Sequence, residues 1–149
     1  KWPNDILVRN RKIAGILTEV STGMDAVDYM VVGLGLNVNI AADDFPEAIR
    51  PEATSILVET GVPFSRSLLL RRYLENFEYY YDIIHAQGFD PVLRRWKALT
   101  EMLGRRVRVD VMGRQQVGKV TDFDRDGFLI IRDEADRSYR IFSGDVTLL

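Results

Sequence analysis

Cysteine is missing from the 149-residue sequence altogether, and histidine occurs once, as His85. The first absence excludes disulfide staples, thiolate zinc sites and cysteine nucleophiles together. The second leaves a Ser-His-Asp triad only one imidazole to use. His85 falls at the end of an apolar-periodic helix, where a histidine commonly meets the C-terminal dipole, and it is assigned no catalytic role. No run of about 18 apolar residues occurs, so nothing reads as a transmembrane helix. The chain does not open on the charged-then-apolar leader of a secretory signal. Neither sign of charge prevails: 20 basic and 22 acidic residues give a formal net charge of −2. That balance argues against a strongly basic nucleic-acid-binding surface, although it leaves room for a local patch. With 46% hydrophobic and 28% charged residues, the composition is that of an ordinary soluble globular protein, expected in the cytoplasm. The length suffices for one core and a small second one.

Along the chain, Ile6–Val8 and Lys12–Val20 are apolar runs joined by Arg9-Asn10-Arg11, which predicts a β-hairpin. Ser21-Thr22-Gly23 reads as a loop. Tyr29–Asn39, apolar through Met30, Val31, Val32 and Leu34, predicts a strand buried on both faces. Ala41–Glu52, with Pro46 and Pro51, reads as an irregular surface stretch, and Ala53–Glu59 as one or two helical turns closed by Gly61. Ser65 is a plausible N-cap for a long helix from Arg66 to about Ala86, ended by Gly88. Its Tyr73, Phe77, Tyr80 and Tyr81 follow helical spacing and predict core positions rather than a stacking platform. A second helix is predicted over Asp90–Leu99, with Pro91 in its first turn and Val92, Leu93 and Trp96 inward. After Gly104 the period changes to short strand-like runs at Val107–Val111, Val117–Val120, Phe128–Ile131, Tyr139–Ile141 and Val146–Leu148. Closely spaced short strands predict a small β-barrel. The boundary falls at Thr100–Gly104.

Three blocks carry chemistry. In Lys1-Trp2-Pro3-Asn4-Asp5, proline restricts Trp2 to extended geometry and presents an amide and a carboxylate at the mouth of a strand. Such groups can hold a nucleoside or a metal-bound phosphate, and taken alone they are also ordinary turn residues. In Arg11–Glu19, Lys12 opens a strand whose next residues are apolar or small. An ammonium there can meet a ligand carboxylate or phosphate, and Ala14-Gly15 lets a ligand or a second backbone approach closely. Each lysine taken singly is more often a surface hairpin residue. In Gly33-Leu34-Gly35-Leu36-Asn37-Val38-Asn39, glycines inside a strand weaken it unless something lies against the backbone, and Asn37 can pair with a purine edge. A dinucleotide-binding reading fails for want of the third glycine and the following helix.

The three blocks in this order and spacing resemble the biotin–protein ligase family, whose pattern is Lys-Trp-Pro-Asn-Asp, then Arg-Lys-x-x-Gly-Ile-Leu-x-Glu, then Gly-x-Gly-x-Asn. The match is tight over about the first 40 residues. The later helices and strands match in general character. The resemblance implies an α+β fold: part of a mixed sheet packed with helices, the class II synthetase-like catalytic domain (residues 1–100), followed by an SH3-like barrel (residues 104–149). It implies ATP-dependent activation of biotin to biotinyl-5′-AMP, then transfer to a lysine of a biotin carboxyl carrier protein, with Mg2+ entering as the ATP complex and no resident metal. Lys12 would be the catalytic cation between the biotin carboxylate and the α-phosphate. Gly15 and Leu17 would line the biotin pocket and Gly33 and Gly35 its floor. Asn4, Asp5 and Asn37 would contact the nucleotide, and Arg108, on the first barrel strand, the triphosphate.

The family's Gly/Arg-rich loop lies upstream of the first block and is not in this sequence. The chain also opens without methionine, directly on a motif. A truncated chain holding half a site is expected, one that binds biotin poorly alone. An N-terminal DNA-binding domain, which some family members carry, would lie outside it. A homodimer is compatible with an exposed strand edge around Tyr29–Asn37. Two other readings remain: a lipoate-type acyl ligase, and a non-catalytic binding module centred on the C-terminal strands. The run Asp122-Phe123-Asp124-Arg125-Asp126-Gly127 mimics a calcium loop, but its β-rich flanks and the Asp126-Gly127 hairpin signal favour a turn.

Overall fold

Arg9 and Asn10 both adopt left-handed backbone, with φ of 50° and 63°, the geometry of a two-residue hairpin turn that follows the strand twist. They join β1 (Asp5–Val8) to β2 (Arg11–Thr22) as the sequence predicts, and β2 continues through Thr22, past the expected loop start at Ser21. β3 (Val27–Leu36) pairs antiparallel with β2, giving the order β1-β2-β3. The computed structural model describes residues 1–23, 26–111 and 113–149. Within them the fold is α+β with two antiparallel sheets, divided into two compact units, Asn4–Arg71 and Lys1–Pro3 with Arg72–Leu149. The mixed character expected of the first sheet reduces to one parallel bridge, Lys12 to Ala53.

The β1–β2 register slips once. Leu7 faces Lys12 but Ile6 faces Ala14, so Ile13 is opposed by nothing. Such a bulge inverts the side-chain alternation of a strand, and it brings Lys12 onto the same face as Gly15. Ile13 itself is buried.

The expectation that β3 is buried on both faces is corrected: Tyr29 is 63% and Met30 57% exposed. β3 is the edge of a three-stranded sheet, and its apolar residues outrun what the unit lays over them. After β3 the chain crosses a short 3-10 turn (Ala42–Asp44) and returns along β2 before α1 (Ile56–Thr60). Ser55 caps α1 by accepting the Val58 N–H at 3.1 Å, and Gly61, at φ 75°, closes it.

In the other unit, β4 (Arg106–Val111), β5 (Arg114–Phe123), β6 (Leu129–Arg132), β7 (Ser138–Ile141) and β8 (Asp145–Leu148) form one antiparallel sheet in the order β7-β6-β5-β4-β8. The predicted strands are all present. No β7–β8 pairing occurs among the described residues, so the pairings define a five-stranded sheet rather than a closed barrel. Alternation places Val107 and Val109 on β4 and Leu129 and Ile131 on β6 inside, and a register shift between Val120 and Asp122 brings Phe123 in beside Val120, all at 0–1% exposure. α3 (Asp90–Leu99) adds Leu93, which is buried, and Trp96, whose ring stands edge-on to Phe123 with centroids 4.5 Å apart.

α2 runs Arg66–Gln87, with the Ser65 hydroxyl accepting the Leu68 N–H. The core role expected of its aromatics is corrected. None of its residues is buried, and Phe77 and Tyr81 stack on one another along an exposed face. Spacing marks an apolar stripe but not whether this chain covers it.

The turn after β5 binds its own acids. Asp124 accepts the N–H groups of Asp126 and Phe128 and the Arg140 guanidinium, which also reaches Asp126 at 2.7 Å. The next turn is held by Asp133. The Arg137 N–H, opposed by partial burial, and then the Arg137 guanidinium, the Tyr139 hydroxyl and the Ala135 N–H bring its carboxyl from 3.8 to about 2. A depressed folded-state value contributes stability above the unfolded value that is lost as pH falls through the folded one. Asp133→Asn is therefore expected to flatten the pH dependence of the chemical-denaturation midpoint between about 4 and 2. Identical acid limbs for the variant and wild type would contradict this.

Candidate functional site

The bulge and the β2–β3 register together gather the sequence-predicted groups. Gly15 faces Asp5 on one side and Gly35 on the other, and Leu17 faces Gly33. Residues paired directly across a sheet share a face, as do residues two apart on a strand. Asp5, Gly15, Gly35, Leu17 and Gly33 therefore form one surface, and three of the five carry no side chain. The result is an open groove of about 500 Å³ lined by Asn4, Lys12, Gly15, Ile16, Leu17, Gly33, Leu34 and Gly35.

Lys12 closes one end. Its Nζ lies 2.6 Å from Asp5 Oδ1, and its side chain is half exposed. The chain of Lys12 lies over Gly15: a Cβ added there would stand 3.2 Å from both Cε and Nζ. Gly15 thus leaves room for a cation to lie flat along the groove. At Gly33 and Gly35 the nearest atoms to an added Cβ are the carbonyl oxygens of Leu17 and Gly15, at 3.6 and 3.9 Å. Those positions have space for a methyl group, and their bareness serves the groove rather than backbone packing.

Asn4 is fixed at the rim, its Nδ2 donating to the Ile16 carbonyl at 2.9 Å. Asn37 lies just beyond β3. Its N–H donates to the Ile13 carbonyl and its Nδ2 to the Thr54 carbonyl at 3.0 Å, so the amide is oriented by backbone on both sides. Arg108 is exposed on β4, between Val117 and Thr147, in the other unit. Trp2, which precedes the polar pair in the first block, is a core residue. It is 6% exposed, and its indole N–H donates to the Gly127 carbonyl at 3.1 Å.

Sequence reasoning missed Ile16 and Leu34 in the lining. It also missed the support beneath the groove. Thr54 and Ser55 are fully buried, and Glu59 accepts the Thr54 hydroxyl at 2.6 Å and an Arg11 Nη2 hydrogen at 2.7 Å. Those bonds hold the Glu59 carboxyl below its ordinary value, the Thr54 hydroxyl foremost. Only the Arg-x-Arg hairpin facing a lone acid in a short apolar helix would have signalled it.

Comparison with known proteins bears on this stretch. The model of the biotin/lipoate A/B protein ligase family matches residues 1–37, which contain β1, β2, β3 and every groove residue. The biotin–[acetyl-CoA-carboxylase] ligase of Mycobacterium tuberculosis is 39% identical over 152 residues, covering 100% of this chain and 52% of that protein. The bifunctional ligase/repressor BirA of Bacillus subtilis is 32% identical, covering 99% of this chain and 45% of its own. Among solved structures, the biotin protein ligase of Aquifex aeolicus in complex with biotin and ATP superposes with a TM-score of 0.81 at 26% identity. That match covers 99% of this chain and 60% of that one. The chain spans about half the length of the curated relatives it matches.

Proposed function

This chain belongs to the biotin–protein ligase family, and from that premise we propose that it contributes the groove in which biotin is activated as an adenylate. The observation that carries this reading is the glycine-floored groove with the Lys12–Asp5 pair at its end, inside the stretch matched by the family model. The biotin carboxylate oxygen attacks the α-phosphorus of ATP, the bond to pyrophosphate breaks, and biotinyl-5′-AMP forms. An amine of a carrier-protein lysine then attacks the acyl carbon, AMP departs, and the amine loses a proton as the amide closes.

Negative charge gathers at the α-phosphate in both steps, and a fixed cation stabilises charge developed in the transition state more than charge already spread in the substrate. Lys12 is proposed as that cation. Asp5 orients its ammonium before ligand arrives, and with Asn4 and Asn37 it is proposed to meet the nucleotide. Gly15, Leu17, Gly33 and Gly35 are proposed to hold biotin. Arg108 as a contact to the triphosphate rests on the family resemblance alone. Mg2+ enters with ATP. Residues 1–100 are read as the C-terminal part of the catalytic domain and 104–149 as the SH3-like domain, and the free edge of β3 as the surface for self-association. No helix among the described residues is long and apolar enough to cross a membrane.

A panel of radiolabelled biotin, lipoate and octanoate, offered to the complete gene product with Mg-ATP and an apo-carrier, tests the assignment. Label carried only from biotin supports it, and label carried only from lipoate moves the protein to the other branch of its family. Gly35→Val, which puts a branched side chain on the floor while suiting a strand, is expected to raise the KM for biotin about tenfold or more. An unchanged KM would remove Gly35 from the biotin pocket.

A further inference from the structure

Glu59 lies outside the groove and enters none of the steps above, yet its carboxylate is enclosed. Its side chain is 8% exposed, with Arg11 Nη2 at 2.7 Å and Arg9 Nη1 at 3.4 Å. Its third partner is the Thr54 hydroxyl, at 2.6 Å. Thr54 is the junction of the site. Its N–H donates to the Lys12 carbonyl at 2.9 Å, its own carbonyl accepts Asn37 Nδ2, and the neighbouring Glu52 carbonyl accepts the Lys12 N–H at 2.7 Å. Both backbone polar groups of Lys12 are therefore engaged by residues 52–54. Lys12 also sits beside the bulge at Ile13, where the β1–β2 register slips and the ladder is locally disrupted.

Resting on the ligase reading, we propose that Glu59 is the positioning residue for Lys12: by holding Thr54 from one side and Arg11 from the other, it sets where the Lys12 side chain leaves the sheet. An acid that only tied a surface hairpin to a helix would need Arg9 and Arg11 alone. Here the shortest bond goes to a fully buried hydroxyl whose backbone carries Lys12 and Asn37. Both donors fall on Oε1. Glutamine keeps the shape but makes that acceptor neutral, and so weaker, and sets an NH2 group in place of Oε2 against the Arg9 guanidinium. Thr54→Val removes the hydroxyl without changing the shape, and Thr54→Ser keeps it.

The test uses the complete gene product and follows biotin-dependent exchange of labelled pyrophosphate into ATP, with amide hydrogen exchange at Lys12 read in parallel. Glu59→Gln and Thr54→Val are each expected to lower kcat about 10- to 100-fold, the scale of a small misplacement of a reacting group. KM for biotin and ATP should stay within about threefold, the mark of an interaction that matters in the transition state. Because both changes break one link, the double variant should be no slower than the slower single variant. Thr54→Ser should stay near wild type, and the Lys12 amide should exchange faster in Glu59→Gln. A wild-type kcat in Glu59→Gln, multiplicative losses in the double variant, or an unchanged Lys12 amide each overturns the proposal. If wild type itself shows no biotin-dependent exchange, the ligase reading fails, and the Lys12 amide alone decides whether Glu59 positions that residue.

Discussion

Lys12→Ala is expected to reduce biotinyl-adenylate formation by the complete protein about 10²- to 10³-fold, the loss typical of removing one preorganised charge-stabilising group. The protein should remain folded. The Lys12 side chain is half exposed and pairs with Asp5 at the groove rim, and partly exposed pairs of this kind contribute little to stability. The loss should appear equally in kcat and kcat/KM, since the cation acts on charge that develops during reaction. Lys12→Arg should recover little. A planar guanidinium is bulkier than an ammonium, and the space over Gly15 admits a narrow chain. Quenched-flow measurement of adenylate decides the matter, and synthesis at the wild-type rate in Lys12→Ala would remove the lysine from the mechanism.

Trp2→Ala should have the largest effect on stability. Trp2 is enclosed by the core of the five-stranded unit, its N–H meets Met102 Sδ at 3.0 Å and its indole N–H meets the Gly127 carbonyl. Truncating a buried Trp to Ala costs about 3–5 kcal/mol, enough to lower Tm on the order of 10 °C for a chain of this size. Trp2→Phe, which keeps most of the apolar contact and leaves the Gly127 carbonyl without its donor, should cost about 1–3 kcal/mol. Calorimetry on both variants checks the order. A Trp2→Ala melt within a degree or two of wild type would show that this contact does not hold the unit together.

The elements that a single stretch of sequence dictates were legible beforehand. Arg9-Asn10-Arg11 between apolar runs gives the hairpin, Gly61 closes α1, and the short apolar runs after Gly104 give five strands. Other features depend on distant residues and were not legible. The bulge at Ile13 has no signature in Ile-Ala-Gly, yet it brings Lys12 over Gly15. The apolar spacing of β3 and α2 marks faces suited to burial, but what covers a face is set by the rest of the fold, and here Tyr29 and Phe77 stay exposed. The first block was read for its polar pair. Asn4 and Asp5 do lie at the groove while Trp2 anchors a different core, because one short motif serves both units. The groove residues assembled because they share a sheet register, whereas Arg108 stands on the separate sheet of the other unit.

The most direct test of the ligase reading is pyrophosphate release from Mg-ATP, measured with and without biotin for wild type and Lys12→Ala side by side. Biotin-dependent release is expected from wild type and little from Lys12→Ala. Absence of biotin-dependent release from both would contradict that reading, leaving the glycine groove and Lys12 without the chemistry assigned to them.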